Sequence, residues 1–69
     1  MEWIQVVSSN IAAIAYASDT EVLSINFLNG STYEYYGVPQ NVFDEFLIAD
    51  SKGRYFNANI KDVFSFNRV

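Results

Sequence analysis

A chain of 69 residues has room for one domain, taken here as residues 1–69, and such a domain buries only about 60% of the surface its unfolded form exposes. Its core must therefore be rich, and a composition that is 17% aromatic, with six Phe, five Tyr and one Trp, makes it so. The lack of Cys and His excludes disulfides and the usual thiolate and imidazole metal sites, and a net charge of −4 argues against a long polyanionic partner.

The amino terminus has neither a basic region nor a long apolar run, so no signal peptide is expected. Ile4, Val6 and Val7 within residues 2–7 fit a short strand. Ile11 to Ala17 is the longest apolar stretch, far below the roughly 20 residues a membrane span needs. No membrane association is expected, and the cytoplasm is the expected location. Ile recurs every third residue in that stretch, which alone does not separate strand from helix. Its neighbour decides for strand: after the turn pair Asp19-Thr20, Leu23, Ile25 and Phe27 alternate with Ser24 and Asn26, the period of a half-buried strand.

Asn29-Gly30 predicts a hairpin with a type I′ turn, since both residues tolerate positive φ. Read as a turn, Asn29-Gly30-Ser31 is not a glycosylation site. Thr32 to Tyr36 alternates again, with Tyr33 and Tyr35 on one face and Tyr36 on the other. Gly37-Val38-Pro39 then ends the strands, and Pro39 suits the first turn of a helix. Val42, Phe43, Phe46 and Leu47 give that helix one apolar face. Ser51 is an N-cap for a second helix over about Lys52 to Lys61, with Tyr55, Phe56 and Ile60 inward. Phe64 and Phe66 alternate with Ser65 and Asn67, a strand pattern able to join a sheet edge. The expected fold is α+β: a three-stranded antiparallel meander, extendable by short terminal strands, with two helices packed on one face.

Charge is distributed unevenly. Residues 1–51 carry seven carboxylates and no Lys or Arg, whereas Lys52, Arg54, Lys61 and Arg68 all lie in the last eighteen positions against Asp62 alone. Ser51-Lys52-Gly53-Arg54 at a helix start has the composition of a small anion site: free amides, a positive dipole end, a residue without a side chain and two cations. The plainer alternative is that Ser51 caps, Gly53 relieves crowding, and the cations are solvated or paired with Asp50 or Glu45. The spacing is not that of a Walker loop. No metal site and no cofactor are expected, because no EF-hand spacing appears either. Catalysis has no visible machinery: Asp44 and Glu45 are adjacent on a helix and diverge, and the serines lack a histidine base.

Three tyrosines form a second cluster. Exposed rings on a sheet can stack on bases, yet Tyr33 and Tyr35 share the face of Leu23, Ile25 and Phe27 and are expected in the core. Tyr36 is the ring left for the surface.

Taken together, Ser8-Ser9-Asn10-Ile11 before an Ala/Ile strand, Tyr33-Glu34-Tyr35, Gly37-Val38-Pro39, and Ser51-Lys52-Gly53 followed by Tyr55-Phe56-Asn57 resemble the KTSC domain family. Such domains occur at the carboxyl end of some lysyl-tRNA synthetases and as free-standing bacterial or phage proteins. The resemblance implies a role in RNA binding and implicates Tyr33, Tyr35, Ser51, Lys52 and Gly53. Where family members are basic after Ser-Lys-Gly, this chain has Asn57, Asn59, Asp62 and Asn67, which argues against general RNA binding.

The expectation is thus a non-enzymatic module for a short phosphate-bearing ligand, a nucleotide or an RNA end. Lys52, Arg54 and the Gly53 amide would hold the anion, Lys61 and Arg68 would flank it, and Tyr36 or Tyr55 would stack. A homo-oligomer that sequesters a nucleotide is one form of this. A protein-interaction domain without such a ligand is the alternative.

Overall fold

A computed structural model of the chain describes residues 2–69. Its elements run β1 (Ile4–Gln5), β2 (Ile11–Ala17), β3 (Val22–Phe27), β4 (Thr32–Tyr36), α1 (Gln40–Ile48), α2 (Lys52–Asn59) and β5 (Ser65–Arg68). All five strands form one antiparallel sheet in the order β1-β2-β3-β4-β5. The three-stranded meander expected from the pattern is extended by a short strand at each end into a five-stranded sheet. The two terminal strands supply both edges, because after α2 the chain returns beside β4 with Phe66 opposite Tyr35.

Direct cross-strand partners share a face, so the registers define one. Ile14 lies opposite Ile25, Tyr16 opposite Leu23, Leu23 opposite Tyr35, and Ile25 opposite Tyr33. Both helices cover this face. Phe43 of α1 stacks on Tyr16 at 4.6 Å between ring centroids, and Phe56 of α2 meets Phe27 and Tyr35 edge-on, each at 5.5 Å. Phe46, Ile60 and Val38 complete the core, each fully buried.

An irregularity in β2 explains the three-residue Ile spacing. The register shifts between Ile11 and Ala13, a bulge that accommodates one extra residue and returns Ile11 and Ile14 to the same core-facing side. The hairpin after β3 also differs from its expected form. Among the described residues Gly30, with φ 94, takes the left-handed conformation and Asn29 does not. Phe27 N–H donates to Ser31 O and Gly30 N–H to Phe27 O, the bonding of a three-residue loop whose last residue is left-handed, not a type I′ turn. Asn29 instead uses its side chain, accepting from Ser31 N–H at 3.0 Å and from Ser31 Oγ at 2.6 Å.

The helices end where local chemistry ends them. Pro39 is the N-cap of α1, one position before the helix, and its carbonyl accepts from Val42 and Phe43. Ser51 caps α2 as expected, its Oγ accepting from Arg54 N–H at 3.2 Å. Tyr16 ties the helical layer down by donating its hydroxyl to Val38 O.

Phe46→Ala empties the centre of this core. Such a truncation costs about 3–5 kcal/mol, against a total stability of roughly 3–10 kcal/mol for a domain of this length. Urea denaturation followed by circular dichroism is expected to find the variant largely or wholly unfolded in water; an unchanged midpoint would refute the packing described.

Candidate ligand groove and the α2 amino terminus

The helices do not cover the whole sheet. Every residue of β5 is exposed, and between it and the end of α2 lies an open groove of about 370 Å³. Its floor is aromatic, from Phe27, Tyr33, Tyr35, Phe56 and Phe66, and its rim is polar, from Asn10, Asn29, Ser31, Asn57, Lys61 and Asp62. The volume lies at the lower end of the range for small-molecule sites, and the mixture of apolar floor and few polar groups is what such sites use. Ring packing sets the floor. Tyr33 meets Phe27 edge-on at 5.7 Å and Phe66 at 5.8 Å. Tyr35 is enclosed by Tyr33, Phe56 and Phe66 and is 4% exposed. Burial, then the neighbouring Tyr33 and Asp62, pushes its phenol above the ordinary tyrosine range.

The ten residues singled out from the sequence do not converge. Tyr33, Tyr35 and Lys61 line the groove, and Arg68 sits on the adjoining edge strand directly opposite Tyr33. Ser51, Lys52, Gly53, Arg54 and Tyr55 belong to the start of α2. Tyr36 lies on the opposite sheet face, where its hydroxyl donates to Glu34 Oε1 at 3.1 Å and accepts from Asn67 Nδ2 at 3.4 Å. It cannot stack on a ligand held at the groove.

At the α2 start the chain uses its own groups. Lys52 Nζ donates to Ala49 O at 2.8 Å, closing the turn between the helices. The bare face of Gly53 is occupied: a Cβ there would lie 2.7 Å from Asn10 Oδ1. The expectation that Gly53 admits an anion thus meets an acceptor oxygen already in place, which would repel one. Tyr55 is engaged too. Its ring stacks on Phe46 at 5.7 Å, and its hydroxyl lies 2.8 Å from Glu45 Oε1 and 3.2 Å from Val42 O. It joins α2 to α1.

Sequence reasoning passed over Asn10, Asn29, Asn57, Asp62 and Phe66, all of which line the groove. The signal available was a run of amide side chains beside aromatic strands. One further sign needs coordinates: Asp62 holds φ 64, one of two non-glycine residues with positive φ among those described, a costly geometry often found at functional sites. A second hollow, of about 350 Å³, is lined by Trp3, Gln5, Ala13 and Asn26 on the uncovered face. Among the described residues no cluster of metal-ligating side chains occurs, and no helix is long and apolar enough to cross a membrane.

The family model for the KTSC domain matches residues 7–64. The chain belongs to the KTSC domain family. This KTSC domain superposes on the crystal structure of a KTSC domain protein from Yersinia pestis with a TM-score of 0.93 at 39% identity, covering 99% of this chain and 96% of that one. A protein from Tsukamurella paurometabola is 44% identical over 57 residues, which is 83% of this chain and 85% of the relative. A lysine–tRNA ligase from Nostoc punctiforme is 41% identical over 61 residues, 88% of the KTSC chain but 11% of the ligase. The domain therefore occurs both as a small protein and as a minor part of a large enzyme.

Tyr55 gives the helix pair a signature at high pH. Burial first, then the hydrogen bond and charge of Glu45, pushes its phenol up to about 12 from 10.0. A raised pKa means the fold favours the neutral phenol. That contribution is fully present below pH 10 and is lost as pH rises through about 12. Tyr55→Phe is expected to lower stability at neutral pH by about 1 kcal/mol and to flatten the decline between pH 10 and 12. Urea midpoints measured across that range check it; parallel profiles for the two proteins would count against the bond.

Proposed function

We propose that this KTSC domain is a non-enzymatic binding module for a short phosphate-bearing ligand, a nucleotide or the end of a single-stranded RNA, held in the groove beside β5. The observation that carries the reading is the composition of that groove. An aromatic floor with Tyr33 and Phe66 stands beside Lys61, and Arg68 follows on the same strand face as Phe66. A planar base stacks on such a floor, each ring contributing about 1–3 kcal/mol, while the two cations attract the phosphate. The lysine–tRNA ligase relative supports a nucleotide-bearing ligand, since that enzyme is named for a tRNA substrate.

The same groove suits an oligomer that sequesters its ligand. Phe66 and Val69, 51% and 66% exposed, follow the free edge of the sheet next to it, so a second copy docked there would close the groove at a subunit boundary. A protein partner without any nucleotide is the other reading, favoured by Trp3, Val7, Leu28 and Ile48, which are exposed elsewhere on the surface.

Calorimetry separates these. Nucleoside monophosphates and short RNAs should give saturable heats, and Lys61→Glu combined with Arg68→Glu should weaken them at least tenfold, whereas Lys52→Glu with Arg54→Glu should have little effect. Absence of any saturable heat would leave the protein-partner reading.

A further inference from the structure

We infer that Ser8, Asn10 and Gly53 form a device that presents the Asn10 amide to the groove as a reader of a base edge, and that the base it selects is guanine. The inference rests on the nucleotide reading just given and adds a specificity to it. Its starting point is the unusual constraint on Asn10. Ser8 Oγ accepts from the backbone N–H groups of Asn10 and Ile11, both at 3.3 Å. With those acceptor positions used, its one proton donates to Asn10 Oδ1 at 3.0 Å. The carboxamide orientation follows from that bond: the oxygen faces Ser8 and Gly53, and the NH2 is the end left for other partners.

Gly53 completes the device. A Cβ there would come within 2.7 Å of Asn10 Oδ1, 3.5 Å of its Cγ and 3.6 Å of its Nδ2, so any side chain would displace the amide. The β2 bulge begins directly after Asn10, and bulges next to sites re-aim side chains. Asn29 repeats the logic beside it, one residue after Leu28, whose N–H donates to Asn10 O at 2.9 Å. Its Oδ1 is taken by Ser31 N–H and Ser31 Oγ, which leaves its NH2 for a ligand as well.

Two amide donors call for adjacent acceptors, and guanine presents O6 and N7 side by side. Asp62 lines the same groove and offers a carboxylate to the N1–H and N2–H donors of that base. Adenine carries an amino group where guanine has O6, and it would set donor against donor at Asn10. The carboxylate beside Lys61 also repels an anion that offers it no donors, so ribose 5-phosphate is expected to bind weakly.

The test is calorimetry of the full chain with GMP, AMP, UMP and ribose 5-phosphate, on the parent, Asn10→Ala, Gly53→Ala and the double variant. GMP should bind about tenfold or more tighter than AMP and ribose 5-phosphate. Asn10→Ala should erase that preference. Gly53→Ala should do the same in a folded protein, since Ala is the better helix former, and the double variant should be no worse than Asn10→Ala alone. Asn10 is exposed, so its truncation leaves the fold intact, as thermal melts would verify. Equal binding of all four ligands, or an AMP preference, overturns the inference and leaves the phosphate-binding reading standing. Binding of none overturns both.

Discussion

The helical layer is too short for the sheet it must cover, and much else follows from that. At 1.5 Å per residue, helices of nine and eight residues are about 12–14 Å long, whereas the seven residues of β2 extend about 23 Å. Phe43, Phe46, Phe56 and Ile60 are spent burying Leu23, Ile25 and their neighbours. Little apolar surface remains for the outer strands, so β1 and β5 are exposed along their whole length. The aromatic residues of β4 and β5 consequently pack on one another at the margin of the core. A groove with an aromatic floor is what a small sheet leaves when its helices run out.

The same shortage makes the polar contacts that fix the helices important. Tyr16 to Val38 and Tyr55 to Glu45 and Val42 attach the helices by hydroxyls at the ends of rings that also pack. Each ring thus supplies buried area and a directed bond, which is the economical use of an aromatic in a chain of this size. Asn10 and Gly53 provide another attachment, between the β1–β2 connection and α2. Because it lies at the groove, this contact bears on the shape of the site.

Much of the fold was legible from local pattern. Leu23, Ile25 and Phe27 alternate because one face of β3 is buried, and Ser51 announces α2 by its capping bond. What stayed hidden depends on partners distant in sequence. The bulge in β2 made its Ile spacing ambiguous until β3 supplied the register. The terminal strands showed as short strand patterns, but which edge each one joins depends on neighbours that the pattern does not name. Gly53 looked like an opening for a ligand because nothing near it in sequence fills the space; Asn10 does so from the far end of the chain. The candidate site was legible in its aromatic and cationic members, Tyr33 and Lys61, and not in its amides, whose meaning comes from which of their atoms are already bonded.

The charge asymmetry takes a more definite form on this structure. Of the four cations, Lys52 is bonded to a backbone carbonyl and Arg54 is not among the residues lining the groove, whereas Lys61 lines it and Arg68 sits beside it opposite Tyr33. The molecule measures 28 × 24 × 24 Å, while charges in physiological salt act over about 8 Å. A ligand confined to the groove therefore responds to two cations and Asp62. A long polyanion would also pass the carboxylates of the acidic body, which carry the net charge to −4. Locality of the positive charge, more than its amount, is what favours a short ligand in the proposed reading.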